Sequence, residues 1–507
     1  MATLQNILNT SGFKIGVELV SSRGTITQEK NQKAIHFGEQ LCAQESVDWI
    51  SITDNAGGYP AISPTDIGKF LQSKGKEIII HLTCKDYNRN GLEAKAWELS
   101  SDGFSNILAI TGDYPATGIK GIAKPVFDID SIGLLYSLKQ LNNGLDIGKK
   151  KEIRLNKTNF YLGAVVSNFK KNENELIPQY LKLLKKIEMG ANFIINQVGY
   201  DAAKMSELIQ FQKYKNLEHI HMIGNVFMLS NFTVNLFHKN RIPGVILTKP
   251  LQEKCLQEIQ SDDRGKSFFL ELAAKMLAIY KGLGYKGGYL GGVHNIEDYK
   301  RIMKIFASYG NDDWKEFVLE LQYEQSNEFF MFEKDAVTGL TTHVLNPVLL
   351  EKGKRTEHVN MNYTISKRFH KILFTKSKGL YNTGKNLCKK SNSKLNAPKW
   401  LYALEQTGKK FLFDCQDCGD CSLQEIAYLC PESQCAKNQR NGPCGGTLNT
   451  KCEVKDIDCI WARAYDRTKY NGDIWKLLEH VPVIQNHDLE GTSSWGNFWL
   501  EKDHCTN

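Results

Sequence analysis

Short apolar runs alternate with longer amphipathic stretches over the first 300 residues of the chain. Eight runs rich in β-branched and aromatic residues predict strands, at residues 14–20, 47–53, 77–84, 106–111, 160–167, 192–198, 221–227 and 287–292. Between them, stretches such as residues 176–189 repeat apolar positions every three or four residues, which predicts helices. Near-continuous apolar strands joined by helices are typical of a parallel sheet that is covered on both faces. We therefore expect an α/β fold with a (β/α)8 TIM barrel, and an open doubly wound sheet is the alternative.

Polar residues lie at or just after the ends of these apolar runs. Glu18 is in the first run, Thr53 ends the second, and His81 is in the third. Asp113 follows the fourth run and Gln197 lies near the end of the sixth. In a closed parallel barrel the carboxyl ends of all strands meet on one face, where enzymes of this architecture have their active sites. The pattern therefore predicts one active site built from several strand ends.

The region 415–459 holds eight of the thirteen cysteines, namely Cys415, Cys418, Cys421, Cys430, Cys435, Cys444, Cys452 and Cys459. The opening C-x2-C-x2-C leaves loops too short for neighbouring thiols to pair without strain, but such loops wrap well around a metal centre. We expect a small cysteine-rich metal-binding domain with two sites of four thiolates, and a disulfide-stapled module is the alternative. The opening spacing and Cys430-Pro431 favour iron–sulfur clusters, whereas zinc usually has paired C-x2-C knuckles. Zinc at one or both sites stays open.

The positive charge of the chain is concentrated in one segment. Residues 351–400 contain thirteen Lys or Arg and two Glu, a net charge of +11, so the other residues sum to −3 against the total of +8. The segment predicts a solvated basic linker or, alternatively, a docking surface for an acidic redox partner or an anionic substrate tail. Binding of RNA is a third interpretation, although the pattern is not that of a diffuse nucleic-acid-binding surface, and we expect no nucleic-acid partner.

Several other classes of protein are disfavoured by the sequence. The first residues lack the basic and apolar regions of a secretory signal, and the chain has no apolar stretch long enough to cross a bilayer. We therefore expect a cytoplasmic protein without a membrane partner. Neither a G-x-G-x-x-G loop after a strand nor a G-x-x-x-x-G-K-[ST] loop occurs, which disfavours Rossmann-type and P-loop nucleotide binding.

The strand ends resemble those of the methylenetetrahydrofolate reductase family. The matching pieces span about residues 10–310 and are Val17-Glu18, Ser51-Ile52-Thr53, His81-Leu82-Thr83-Cys84, Gly112-Asp113, residues 185–192, Gln197, Gly224 and Asn231-Phe232. A second set, Cys435-Ala436-Lys437, residues 440–446 and Cys452-Glu453-Val454, resembles a cysteine-rich module that is fused to some bacterial reductases of this type or encoded beside them. The resemblance predicts domains at 1–310 (folate and flavin barrel), 311–400 (helical extension and basic linker) and 401–507 (cysteine-rich domain).

The resemblance implies a function. The family reduces 5,10-methylenetetrahydrofolate to 5-methyltetrahydrofolate by hydride transfer from a flavin, which feeds methionine and one-carbon metabolism. By analogy Glu18 is expected to be the general acid and Asp113 the second catalytic carboxylate. Gln197, Asp113 and Tyr200 are expected to bind the substrate. The flavin is expected to lie against five residues, namely Thr53, His81, Gly112, Asp113 and Lys186.

Cofactor and partner predictions follow from the same resemblance. FAD is expected, with FMN or no tightly bound flavin as alternatives, because the sequence departs from the family's pattern at residues 19–23 and at Thr111. The electron donor is NAD(P)H, ferredoxin or another redox partner, and the chain is compatible with a homo-oligomer. Two other functions stay open: a non-redox folate-dependent methyltransferase with thiolate-bound zinc, and an electron-transfer or assembly subunit of a folate reductase complex.

Overall fold

The structure is a computed structural model that describes residues 3–148, 150–238, 242, 244–376, 379–391, 393–479 and 482–506. All eight predicted strands form, as β1 Lys14–Leu19, β2 Trp49–Ile52, β3 Glu77–Thr83, β4 Asn106–Ile110, β5 Tyr161–Val166, β6 Phe193–Asn196, β7 His221–Phe227 and β8 Gly287–Gly291. Each strand pairs in parallel with the next one, and β8 pairs with β1. The prediction of a closed TIM barrel is therefore confirmed over the alternative of an open sheet.

Helices connect the strands and cover the barrel. They are Glu29–Cys42, Pro64–Gln72, Arg89–Ser101, Ser131–Asn143, Glu173–Glu188, Ala202–Tyr214, Asn231–His238, Lys249–Glu258, Lys266–Leu283, Ile296–Ser308 and Trp314–Glu320. Two small antiparallel hairpins pair Asp146–Ile147 with Ile153–Arg154 and Phe332–Lys334 with Thr341–Leu345. The helix predicted at residues 176–189 is Glu173–Glu188, so its position is confirmed to within three residues.

Two layers of side chains alternate along each strand, as the period of two in an extended chain requires. On β1, Val17 and Leu19 belong to the large core between the strands and the helices. Gly16 faces the barrel interior, where a Cβ atom would lie only 2.0 Å from the ring of Trp49. Glu18, two residues further along the same strand, therefore also faces the interior, above the aromatic residues that fill it.

The amino ends of the strands are closed by the short helix Leu4–Asn9. Leu4 and Leu8 are fully buried in the same small core as Trp49. The backbone N–H of Leu4 also donates a 3.0 Å hydrogen bond to Oε2 of Glu77, at the start of β3. With this end filled, chemistry in the barrel has to take place at the carboxyl ends of the strands.

The C-terminal part of the chain is helical around the cysteine-rich segment. Its helices are Pro347–Leu350, Met361–Leu373, Gly379–Lys389, Lys399–Phe413, Pro431–Gln434, Ile460–Tyr470 and Ser494–Trp499, so the basic segment 351–400 contains regular helices. The ring of Phe374 stacks on Trp499 at 5.2 Å between centroids, which joins this segment to the end of the chain. The division of the chain at residues 310 and 400 stays a prediction. Among the described residues, no helix is both long and apolar enough to span a membrane.

Candidate active site and cysteine sites

Glu18 is one end of a series of polar contacts that runs through Tyr289 and Ser51 to His81. Its Oε2 accepts a 3.0 Å hydrogen bond from the hydroxyl of Tyr289 on β8. Tyr289 also interacts with Ser51, whose Oγ lies 2.7 Å from Nε2 of His81. Burial raises the pKa of Glu18, and the hydrogen bond from Tyr289 offsets part of that rise. The carboxyl group is thus placed to hold a proton at a pH where an exposed glutamate would be ionised.

The imidazole of His81 is a neutral member of this network. Burial lowers the pKa of His81 to about 4, so the ring is uncharged near neutral pH. Directly after β2, the hydroxyl oxygen of Thr53 is buried and has no hydrogen-bond partner within the described part of the chain. A buried hydroxyl without a partner at the carboxyl ends of the strands, here called the mouth of the barrel, is a candidate for contact with a bound molecule.

Asp113 joins the loop after β4 to the loop after β2. Its Oδ2 accepts a 2.8 Å hydrogen bond from the backbone N–H of Gly57. Gly58 has φ 76° and a Cβ there would lie 2.2 Å from the carbonyl oxygen of Tyr114, so only glycine allows this approach of the two loops. The carboxylate is thereby held at the carboxyl ends of the strands by the backbone of the loop after β2, two strands away in the barrel.

Gln197 and Tyr200 follow β6 and differ in whether their polar groups could still form a hydrogen bond to a substrate. The amide oxygen of Gln197 accepts a 2.9 Å hydrogen bond from the N–H of Val198, and its NH2 group has no acceptor among the residues that the structure describes. Tyr200 is only 3 % exposed, and its hydroxyl donates a 3.1 Å hydrogen bond to the carbonyl of Phe227. The assignment of Gln197 and Tyr200 to substrate binding stays a prediction, and Tyr200 is engaged inside the protein.

The cysteine-rich module reaches into the mouth of the barrel through Lys437. Its ammonium group donates a 3.0 Å hydrogen bond to the carbonyl of Gly112 and pairs at 2.5 Å with Oε1 of Glu453. Burial alone would lower the pKa of Lys437, but Cys444, Glu453 and Asp113 hold it above its usual value. A buried cation from the module therefore stands beside two of the predicted site residues, Gly112 and Asp113.

Two further buried lysines hold the module loop onto the barrel. Lys182 donates to the carbonyls of Gly442 and Pro443, both at 3.1 Å, and to the side chain of Gln439 at 3.0 Å. Lys170 donates to two carbonyls of the same loop at 2.6 and 2.5 Å. On the same helix as Lys182, the predicted flavin ligand Lys186 donates at 2.6 Å to a carbonyl of β5, and burial lowers its pKa to about 7.

The eight clustered cysteines divide into two cavities of four. The first cavity is lined by Cys415, Cys418, Cys421 and Cys430, and the second by Cys435, Cys444, Cys452 and Cys459. Each set is consecutive in sequence. The prediction of two four-thiol groups therefore matches how the chain folds, although which metal they bind stays a prediction.

The distances between the sulfur atoms bear on which centre fits. In the described residues, which include all of 415–459, no three of these sulfur atoms lie within 4.8 Å of one another. A tetrahedral zinc ion with Zn–S bonds of about 2.3 Å would bring its four sulfurs roughly 3.8 Å apart. A cluster bound through several iron atoms holds its thiolates further apart. The thiols of each cavity are therefore gathered less closely than around a single tetrahedral zinc ion.

The surroundings of the thiols suit bound thiolates. The backbone N–H groups of Asp417 and Val454 point at the sulfur atoms of Cys415 and Cys452, each at 3.4 Å. Lys409 and Arg440 line the first cavity, and Lys437 lines the second. Without a metal, burial raises the pKa of the thiols, to about 11 for Cys415 and Cys435 and to about 12 for Cys418. A bound cation that displaces these protons would therefore stabilise the module.

Sequence reasoning missed three residues that shape this mouth: Tyr289, Lys437 and Lys182. Tyr289 lies in a glycine-rich run, and the period-two alternation of β8 was the signal that could have placed it inside the barrel. The two lysines carried no local signal, because their partners lie 325 and about 260 positions away in the chain.

In its fold and in the polar groups at its strand ends, the chain is a (β/α)8 barrel protein of the enzymatic type. It belongs to the methylenetetrahydrofolate reductase family, since the family model described as "Methylenetetrahydrofolate reductase" matches residues 3–284, more than half of the chain. A second family model, described as "Methylene-tetrahydrofolate reductase C terminal", matches residues 396–487, which include the eight clustered cysteines. No curated protein matches the chain.

Solved structures resemble the barrel only distantly. An uncharacterized protein from Clostridium thermocellum that binds two copies of 5-methyl-5,6,7,8-tetrahydrofolic acid is 15% identical, with a TM-score of 0.43 over 60% of this chain and 96% of that one. A 2,3-dimethylmalate lyase of the PEP mutase/isocitrate lyase superfamily is 9% identical, with a TM-score of 0.34 over 59% and 82% of the two chains. Similarity at this level carries no information about the chemistry.

Proposed function

We propose that the chain reduces 5,10-methylenetetrahydrofolate to 5-methyltetrahydrofolate at the carboxyl ends of the barrel strands. The observation that carries the proposal is the position of Glu18, a largely buried carboxyl group with a raised pKa that is hydrogen-bonded to Tyr289. Opening the five-membered ring of the substrate requires a proton on N10, and a carboxyl group that stays protonated near neutral pH can supply it. Membership of the reductase family supports the same reaction.

The other residues of the mouth have complementary roles in this proposal. Loss of the N10 bond produces a cationic iminium, which the carboxylate of Asp113 would stabilise from its fixed position on Gly57. The free NH2 group of Gln197 would donate to an acceptor on the pterin ring. The overall reduction consumes two electrons and two protons, and Glu18 supplies the proton that goes to nitrogen.

The residues around the mouth fit a flavin on one side. In this proposal Thr53, whose buried hydroxyl has no partner among the described residues, and neutral His81 would contact the flavin together with Asp113. A bound flavin supplies the hydride. On the other side, Gly112 and Lys186 already have partners within the chain, Lys437 and a β5 carbonyl, so they would have to exchange those contacts to hold a phosphate or a flavin ring.

The two cysteine cavities support iron–sulfur clusters as the second cofactor. The four thiols in each cavity, their separation and the nearby cations suit clusters better than zinc. The same spacing counts against the methyltransferase alternative, which needs thiolate-bound zinc. A ferredoxin-like donor is the redox partner that this arrangement favours, and the basic segment 351–400 is the surface that such an acidic protein would meet.

A second candidate function is supported by the module's contacts. Because Lys437 covers Gly112 and Lys186 is bound to β5, the chain is also suited to be the electron-transfer subunit of a folate reductase complex. In that case another subunit would carry the flavin. The two functions differ in what the purified chain contains and in whether it acts alone.

The deciding experiment is anaerobic purification followed by a visible spectrum, flavin extraction and metal analysis. The reductase proposal predicts flavin, about eight iron atoms for two four-iron clusters, and methyltetrahydrofolate formation with reduced viologen as electron donor. Iron without flavin and without turnover would support the electron-transfer subunit. Zinc in place of iron, with methyl transfer to a thiol, would refute both.

A further inference from the structure

A group of possible metal ligands lies outside the eight clustered cysteines, near the end of the chain. Nε2 of His504 is 3.6 Å from Oε1 of Glu425 and 3.5 Å from Sγ of Cys505, and that sulfur lies 3.8 Å from the same carboxylate oxygen. The three atoms thus surround one point. His504 and Glu425 are buried, whereas Cys505 is exposed, so the point is open to solvent on the side of the thiol.

Two of the three separations match those of atoms that share a single ion, and the third, between Cys505 and Glu425, is slightly longer. Bonds to zinc of about 2.3 Å from sulfur and about 2.0–2.2 Å from nitrogen or oxygen place tetrahedral ligands roughly 3.3–3.7 Å apart. The separation between His504 and Glu425 is by contrast too long for an ordinary N–H···O hydrogen bond. A shared cation explains this geometry better than a direct contact does.

The other ring nitrogen of His504 supports the same interpretation. Nδ1 lies 2.5 Å from Oδ1 of Asp420, which is fully buried and also accepts from the backbone N–H of His504 and of Asn486. A carboxylate on Nδ1 holds the ring proton there, orients the imidazole and leaves the lone pair of Nε2 for a metal. Histidine ligands of zinc usually have such a carboxylate or carbonyl behind them.

A second histidine, His358, offers a comparison, because both of its ring nitrogens contact carboxylates. His358 contacts Asp466 through Nδ1 at 2.6 Å and Asp458 through Nε2 at 3.1 Å. Both nitrogens are within hydrogen-bond distance of a carboxylate, and the nearby Glu357 is exposed. This arrangement fits a protonated imidazole with both nitrogens occupied, whereas Nε2 of His504 lies 3.6 Å from its nearest carboxylate oxygen, beyond an ordinary hydrogen bond.

We propose that Glu425, His504 and Cys505 form a third metal site, which binds a divalent ion of the zinc class through one oxygen, one nitrogen and one sulfur. Three protein ligands leave a fourth position for water or for an added ligand. Asp420, which lies between Cys418 and Cys421, joins the histidine of this site to the loop of the first cysteine site. This proposal does not rest on the proposed reductase function.

The test is a Co²⁺ titration of the full chain, purified with whatever metal its eight clustered cysteines hold. The wild type should take up one equivalent of Co²⁺ with the absorption of a tetrahedral Co²⁺–thiolate centre. Cys505→Ser should lose the thiolate band, and Glu425→Gln should bind Co²⁺ more weakly, by roughly tenfold or more. Cys42→Ser, which removes a thiol outside the three sites, is the matched control and should behave as the wild type.

Two results would overturn the third site. One is a wild type without the Co²⁺–thiolate band, a result that needs no variant to fold. The other is equal Co²⁺ uptake with the same band in Cys505→Ser and the wild type. Iron and zinc contents measured on the same samples report on the eight clustered cysteines separately, so failure of the reductase proposal would leave this comparison intact.

Discussion

The ammonium group of Lys437 donates a 3.0 Å hydrogen bond to the carbonyl of Gly112, although the two residues lie 325 positions apart in the chain. Lys437 also lines the second cysteine cavity and pairs with Glu453. A single side chain therefore contacts both the mouth of the barrel and the wall of the nearer cysteine site. Lys437 interacts electrostatically with Cys444 of that site and with Asp113 at the carboxyl ends of the strands.

Replacing Glu18 should separate the folate half-reaction from the electron-input half-reaction. Glu18→Gln keeps the size of the side chain but cannot deliver a proton, so formation of methyltetrahydrofolate should fall by roughly 10²–10⁴-fold. Reduction of the bound cofactors by an artificial donor should be nearly unchanged. Stopped-flow spectra and product analysis measure the two halves.

The matched control is Glu77→Gln at the opposite end of the barrel. Glu77 accepts hydrogen bonds from Leu4 and Asn106, and a glutamine oxygen can still accept them. This variant should keep both half-reactions. If Glu18→Gln turned over folate at the wild-type rate, Glu18 would not be the acid.

The hydroxyl of Tyr289 should set the pH range of the reaction. The acid must be protonated to act, so kcat/KM should fall as the pH rises through the raised pKa of Glu18. The hydrogen bond from Tyr289 favours the carboxylate and lowers that pKa. In Tyr289→Phe the pKa should therefore rise further, and the falling limb of the profile should move to higher pH. A limb that stayed in place or moved to lower pH would contradict this role.

Replacing Asp113 should disturb both half-reactions. Asp113→Asn removes the charge but leaves an oxygen that can accept from the N–H of Gly57. Folate turnover should fall and the reduction potential of the flavin should shift, because a carboxylate beside the mouth acts on both. Potentiometry and steady-state assays measure the two effects. If neither changed, Asp113 would lie outside the site.

Single cysteine replacements should empty one cavity at a time. Cys418→Ser should remove the centre of the first cavity and Cys444→Ser that of the second, so the iron content of each variant should fall by about half. Solubility should fall with it, and folate reduction only as a consequence. Cys255→Ser, at a buried cysteine in the helix Lys249–Glu258, serves as the control. Full metal content in both cavity variants would refute the assignment.

Replacing Lys182 should loosen the module from the barrel. Lys182→Met keeps the length of the side chain but leaves three acceptors without their donor, at a cost of about 1–3 kcal/mol. Amide hydrogen exchange in residues 439–447 should then speed up roughly 5- to 150-fold if it occurs through local opening. Lys213→Met, at an exposed lysine, should leave exchange in this loop unchanged. Equal rates in both variants would contradict the docking role.

The barrel could be predicted from the sequence because its determinants are local. Parallel strands buried on both faces appear as continuous apolar runs, and all eight runs form strands whose ends differ from the prediction by at most two residues. The positions of Glu18, Thr53 and His81 near the ends of strands followed in the same way, whereas their roles in a site stay predictions.

The contacts across the mouth could not be predicted, because they depend on how distant segments meet. No local pattern indicates that Lys437 contacts Gly112, or that the lysines of the helix Glu173–Glu188 bind the module rather than a phosphate. The motif around Lys437 indicated a cysteine-rich module but not its position. The hydrogen bond between Tyr289 and Glu18 could not be predicted either. Tyr289 is on the last strand, which meets β1 only when the barrel closes.

The loop of residues 442–447 joins the cysteine-rich module to the barrel mainly through its backbone carbonyl groups. Lys170 and Lys182 bind carbonyl oxygens, which every residue type offers, so most side chains of residues 442–447 are free to vary without loss of these bonds. The constraint falls instead on backbone shape: Gly442 and Gly445 have φ of 141° and 95°, and a Cβ at Gly445 would lie 2.5 Å from Oγ of Ser167. Two glycines and two lysines would therefore preserve the joint between the barrel and the module even if Pro443 and Thr447 changed. Cys444 and Gly446 are constrained separately, because both line the second cavity and a Cβ at Gly446 would lie 2.2 Å from the carboxyl group of Glu453.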